Sequence, residues 1–210
     1  MGAGNAPGGG PRKPQSIAGI ERRIFHLFAA STFPVALLFA PQTPLLIAAI
    51  VLAAGAVLGE ALRFRVQAFN DWLTRNVRPL MKQSEEAVPF GSTYVLVSTA
   101  IVLGTMSQPV AALALFFLAI GDPVAAMVGE RYGAHRVFGK SYEGSAAFLA
   151  AALAIGALLA ATELDTPYSV MVVGAVAAML AELAPMALDD NIKTPLAAGG
   201  VMTLAAHFWA

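Results

Sequence analysis

All thirteen Lys and Arg residues of this 210-residue chain fall outside its seven apolar stretches, and that distribution limits the folds open to it. The stretches cover about residues 24–40, 44–59, 90–107, 109–129, 145–161, 168–184 and 194–209. Several are shorter than the ~20 residues that ideally cross a hydrocarbon core, so some polar side chains must enter the helices. With the N-terminus in the cytosol, every basic residue lies on the inner side, at 12–13, 22–23, 63–82, 131–140 and 193. The outer connections at 41–44, 107–109 and 162–167 carry none, as the positive-inside rule requires. The expected fold is therefore all-α: a polytopic membrane protein of about seven transmembrane helices, N-terminus cytosolic and C-terminus outside.

Composition narrows the function classes. Hydrophobic residues make up 58% and charged residues 12%, and the formal net charge is zero, so no basic field exists to gather nucleic acid. There is no cysteine, which excludes disulfides, thiolate metal sites and a thiol nucleophile. The start, MGAGNAPGGGPRKPQ, is rich in Gly and Pro, lacks the apolar run of a signal peptide, and has Ala6 where myristoylation needs Ser or Thr. Residues 1–19 are expected to form a disordered cytosolic tail, and residues 20–210 a single transmembrane domain.

The longest inner connection, residues 64–89, spaces Phe69, Trp72, Leu73 and Leu80 as a helix would, with Arg65, Arg75, Arg78 and Lys82 largely off that stripe and Pro79 interrupting it. This predicts one amphipathic helix in the interface, its cations against lipid phosphates.

A carboxylate at mid-bilayer costs ~2.5–3.5 kcal/mol on insertion scales, so intramembrane acids call for an explanation. At ~1.5 Å per residue from the outer helix ends, Glu60 lies about 24 Å deep, Asp122 about 20 Å and Glu182 about 21 Å, all in the cytosolic leaflet. His26, three residues past Arg23, belongs near the same surface, and Glu60 and Arg63 are one helical turn apart, so they can pair. Gly121-Asp122-Pro123 reads as a break in the fourth span, with Asp122 as N-cap of a half-helix that points its N–H groups into a cavity.

Residues 129–144, GERYGAHRVFGKSYEG, hold four glycines and three cations, a composition suited to handling phosphate. They are not a Walker A motif: five residues separate Gly133 from Gly139-Lys140-Ser141, Ala134 replaces the required glycine, and a span precedes the loop instead of a strand. The same residues would also serve as a positive-inside turn with Ser141 or Glu143 capping the fifth span. Asp189-Asp190-Asn191 precedes Lys193-Thr194-Pro195, which resembles a helix start with Pro in its first turn. Asp190 and Asn191 place hard oxygen ligands for Mg²⁺ beside cations for phosphate, the pairing that phosphoryl transfer needs.

The run GDPVAAMVGERYGAHRVFGKSYEGSAA resembles the signature of the CTP-dependent polyprenol and phytol kinase family, which includes dolichol kinases and yeast-type diacylglycerol kinases. AELAPMALDDNIKTPLAAGGV resembles that family's C-terminal block, while ERRIFH and Glu60-x-x-Arg63 are weaker matches. The resemblance covers residues 21 to about 201. It implies transfer of the γ-phosphate of CTP, or of ATP, to a polyprenol, phytol-like or diacylglycerol-type lipid alcohol, with Mg²⁺ as cofactor. By position it implies catalytic roles for Asp122, Lys140 and Glu143, and nucleotide contacts at Gly133, His135, Arg136, Gly139, Lys140 and Ser141. It also implies metal ligation by Asp190, Asn191 and Glu182, and substrate contacts at His26, Glu60 and Arg63. The sequence departs from the family at Val137-Phe138, where a Pro-containing stretch is frequent, and at Lys193, where a small or apolar residue is common. The expected location is an integral position in a bacterial inner membrane or the endoplasmic reticulum, with the site facing the cytosol. A phosphatidate cytidylyltransferase-like enzyme would also join CTP, Mg²⁺ and lipid there. A small-solute transporter would also bury carboxylates, but no polar residue lines the outer half of these spans.

Overall fold

The computed structural model describes residues 17–78, 85, 87–160 and 166–209. Eight helices are described: α1 (Ile17–Ala36), α2 (Gln42–Arg65), α3 (Gln67–Val77), α4 (Gly91–Thr105), α5 (Gln108–Tyr132), α6 (Tyr142–Ala160), α7 (Tyr168–Leu183) and α8 (Asp190–Trp209). Each of the seven apolar stretches falls on one of them. Three, α2, α5 and α6, are long and apolar enough to cross a membrane, and α4 and α7 are shorter apolar helices. The whole glycine-rich start, together with Pro79, Leu80, Lys82 and the connection at 162–165, lies outside the described residues; α1 already begins at Ile17, inside the stretch read as tail. The all-α expectation needs one addition, a two-residue antiparallel hairpin of β1 (Arg136–Val137) and β2 (Lys140–Ser141), with Arg136 opposite Ser141.

Helix α5 is the axis of the bundle. Every residue from 110 to 119 is buried, which an all-apolar helix achieves only when surrounded. It packs against α1, α4, α6, α7 and α8, while α2 lies outside on α4. One apolar cluster joins α5, α6, α7 and α8 through Phe117, Phe148, Met171 and Met202; a second joins α1, α2, α4 and α5 through Leu37, Ala49, Leu103 and Leu115. The outer flank of α2 presents Ile47, Ile50, Val51, Leu52 and Leu58 to the surroundings, as a lipid-facing helix does.

Two glutamines close the end opposite the hairpin. Gln42 Nε2 donates to the Leu103 and Met106 carbonyls at 2.6 and 2.8 Å, and Gln108 Nε2 donates to those of Leu37 and Ala40 at 2.7 and 3.2 Å. These are carbonyls that a helix end leaves without an internal partner.

The expected break in the fourth span does not occur. Helix α5 runs unbroken through Pro123, and Asp122 is an interior helix residue rather than the cap of a half-helix. Packing overrides the local signal. A Cβ on Gly121 would lie 2.6 Å from the Phe148 ring of α6, so Gly121 is a contact point between two helices and not a break. Pro123 still removes one backbone hydrogen bond, but its buried flanks hold the helix on course. Gly121→Ala is accordingly expected to lower stability by about 1–3 kcal/mol through overpacking, seen as a lower thermal midpoint in detergent. An unchanged midpoint would show that α6 can retreat from α5 at no cost.

Helix α8 also starts earlier than expected, at Asp190, which leaves Pro195 in its second turn. Asp189 caps it, Oδ1 accepting from Asn191 N at 2.9 Å. Helix α3 forms where the amphipathic stripe predicted, buries none of its residues, and stacks Phe69 on Trp72 with ring centroids 6.0 Å apart.

Candidate active site

The polar residues gather at the end of the bundle where α2, α5 and α7 finish and α4, α6 and α8 begin. Helices α5 and α6 meet closely there. A Cβ on Gly144 would lie 2.8 Å from the Ala125 carbonyl, and one on Gly129 would lie 2.8 Å from Ser141 Oγ. Ser141 is buried between them and caps α6, its Oγ accepting from Gly144 N at 3.1 Å. The glycines of this loop thus serve chiefly to let two helices and a hairpin approach one another.

A cavity of about 330 Å³ opens beside this junction. Its walls include Asp122 from α5, Arg136, Gly139, Lys140 and Ser141 from the hairpin, Glu182 from α7 and Asp190 from α8. Segments remote in sequence therefore bring these carboxylates and cations to one hollow. Asp122 is about one third exposed (34%), and its Oδ2 lies 4.0 Å from His26 Nε2 on α1, so His26 also reaches the rim.

Lys140 is the hub. Its ammonium lies 2.9 Å from Glu182 Oε1 and 2.8 Å from Asp190 Oδ2, and it also donates to the Glu182 carbonyl at the end of α7. Burial by itself would lower the Lys140 pKa, but the hydrogen bonds and charges of Asp190 and Glu182 outweigh it and hold the value above that of an ordinary lysine. The cation is thus retained through the physiological range. Lys193, one turn along α8, donates to Asp190 Oδ1 at 2.8 Å and to the Ala184 carbonyl at 2.6 Å. Asp190 therefore has one lysine on each oxygen.

Other candidates lie elsewhere. Glu143 does not line the cavity; its Oε1 lies 2.8 Å from His135 Nδ1 and accepts from His135 N at 3.2 Å. Gly133 ends α5, its N–H donating to the Gly129 carbonyl. Asn191 is buried; its Nδ2 donates to Asp189 Oδ1 at 2.8 Å and packs by Gly91 of α4. Glu60 and Arg63 do pair, at 2.7 Å, in a separate buried cluster. Arg63 Nη1 and Nη2 donate to the Glu85 and Val88 carbonyls, each at 2.9 Å, and its guanidinium lies 4.4 and 4.3 Å from the Phe64 and Phe90 ring centres. Glu60 Oε1 accepts from Phe90 N at 2.7 Å, and Glu85 Oε1 from Gly91 N at 2.8 Å, so the two acids satisfy the first amides of α4.

The cavity also has walls that sequence reasoning did not single out, Glu130 and Ser145. Ser145 stands one turn after Ser141, a spacing that could have signalled it. Among the described residues, no three acid or histidine side chains are arranged as a ready metal site. The donor chemistry for a hard cation is nonetheless there. Glu182 is 6% exposed and its Oε2 is buried without a hydrogen-bond partner, in a wall shared with Asp122 and Asp190.

No family model matches the chain, and no solved structure matches it. Three curated proteins are similar to it. CTP-dependent diacylglycerol kinase 1 of Schizosaccharomyces pombe is 24% identical over 164 residues, 71% of this chain and 75% of that protein. The uncharacterized protein RP860 of Rickettsia prowazekii is 22% identical over 182 residues, 84% of this chain and 89% of its own length. Phytol kinase of Synechocystis is 31% identical over 131 residues, 57% of this chain and 56% of that enzyme. Distant, partial similarity to two named kinases thus joins a helical bundle with membrane-type helices and a cavity of acids and cations, and together they support a relationship to lipid kinases.

Proposed function

We propose that this protein is an integral-membrane lipid kinase. It transfers the γ-phosphate of a nucleoside triphosphate, CTP in the first instance, to the hydroxyl of a polyprenol, phytol-like or diacylglycerol-type alcohol at the cytosolic leaflet. The observation that carries the reading is the convergence of Asp122, Arg136, Lys140, Glu182 and Asp190 on one cavity, at the end of an apolar bundle. The lipid tail stays in the bilayer, so only the reacting hydroxyl has to be positioned.

In this reading the phosphates enter from the hairpin side and are met by Arg136 and Lys140. Lys140 exchanges part of its contact with Glu182 and Asp190 for the phosphate oxygens. Asp122 faces the hydroxyl and accepts its proton as the lipid oxygen bonds to the γ-phosphorus. The bond from that phosphorus to the bridging oxygen breaks, and the nucleoside diphosphate leaves with the electron pair. Glu182 and Asp190 would hold Mg²⁺, which would supply neutralisation of phosphate charge. Arg131, at the end of α5, and Arg75 of α3 would face inner-leaflet phosphates, with α3 in the interface.

Purified protein incubated with γ-labelled CTP or ATP and with prenols, phytol or diacylglycerol is expected to label a lipid and release the nucleoside diphosphate, and to stop in excess chelator. Release of pyrophosphate would identify cytidylyl transfer instead. Absence of label from every lipid with both nucleotides would refute the proposal.

A further inference from the structure

We propose that Phe138, at the tip of the hairpin, is the platform on which the base of the bound nucleotide stacks; the inference rests on the kinase reading above. Phe138 and Gly139 both have positive φ, 51° and 83°, the backbone of a two-residue type I′ turn. Such turns favour Asn-Gly, and a bulky aromatic at the first position is an outlier held against steric resistance. The fold recovers little for it, because Phe138 is 67% exposed. A strained residue that contributes little to its own chain points to a use outside it.

Its place in the hairpin says which use. Arg136 on one side and Gly139 and Lys140 on the other all line the cavity. A triphosphate bound by Arg136 and Lys140 leaves its nucleoside to extend toward the hairpin tip that carries Phe138. Gly139 keeps that approach open, since a Cβ there would meet nothing within 4 Å. An aromatic ring offers a face to any base, so the platform adds affinity without reading base identity. A membrane anchor is the competing use of an exposed aromatic. Tyr132 and Tyr142, exposed at the adjoining ends of α5 and α6, already provide interfacial rings without a strained backbone.

Equilibrium binding of CTP, ATP and inorganic tripolyphosphate to the full-length protein in detergent tests the assignment. Phe138→Asn suits the turn, so the hairpin is kept while the ring is lost. This variant is expected to bind CTP and ATP about tenfold more weakly or worse, in equal proportion, and tripolyphosphate unchanged, with Phe138→Trp restoring nucleotide affinity. Nucleotide binding by Phe138→Asn as tight as by the wild type would overturn the platform, and so would a defect confined to association with anionic vesicles. Wild-type protein that binds tripolyphosphate but gains nothing from a nucleoside would overturn the platform and leave the phosphate site standing. Wild-type protein that binds none of the three would overturn the kinase reading and the platform together.

Discussion

Asp122→Asn is expected to reduce phosphate transfer to lipid by about 10²–10⁴-fold while leaving the protein folded, because the change removes a proton acceptor and preserves shape. Asp122 sits inside an unbroken helix and is partly exposed to the cavity, and among its near neighbours is His26 at 4.0 Å. Asp122 is an interior helix residue and not a helix cap, and Asn keeps its shape, so the thermal midpoint in detergent should stay near that of the wild type. Nucleotide binding measured separately should survive, since Arg136 and Lys140 are untouched. Turnover at the wild-type rate would remove Asp122 from the chemistry. A collapse of the midpoint would instead return it to a structural role.

The helices were legible because an apolar run bounded by charge has few alternatives in lipid. The juxtaposition of Asp122, Lys140, Glu182 and Asp190 was legible for a related reason. Each lies near the same end of its segment, and helices of similar length that pack side by side bring those ends together. What could not be read was any feature that one segment imposes on another. Gly-Asp-Pro is a helix-start signal by local rules, and only the Phe148 ring lying on Gly121 shows why the helix continues. The glycines at 129 and 144 suit a phosphate loop in composition, but their role is set by the distance between α5 and α6. Glu143 and His135, in the same loop, pair with each other away from the cavity because a hairpin has two faces and spacing alone does not say which one looks inward.

Lys193 shows how a departure from a family pattern can carry information. As a sequence feature it was a cation where a small residue is common. In the structure it is buried and holds Asp190 from the side opposite Lys140, while also meeting the Ala184 carbonyl. With a lysine on each oxygen, Asp190 is fixed in orientation by two neighbours. Any role in holding Mg²⁺ then requires Lys140 to move away, as the approach of phosphate would make it do. In the proposed kinase reaction, arrival of the nucleotide would thereby expose the carboxylates.

Arg63→Ala is expected to cost about 3–5 kcal/mol of stability, the range for breaking a buried ion pair from one side. Arg63 is 1% exposed, and its guanidinium serves Glu60, two backbone carbonyls at 85 and 88, and two aromatic rings. Without it Glu60 is left as a buried acid beside the first amides of α4, and the strand of chain that leads into α4 loses its anchor on α2. Lysine should not rescue, because one ammonium cannot reproduce the planar fork or the stacking. The double variant Glu60→Gln with Arg63→Met should lose less than Arg63→Ala alone, since no unpaired charge remains buried. The measurement is the thermal or denaturant midpoint in detergent for all four proteins. Were the pair a substrate contact, as its sequence match allowed, Arg63→Ala would keep its midpoint and raise only the KM for lipid. The closed set of partners around Arg63, and its absence from the cavity walls, favour the clamp.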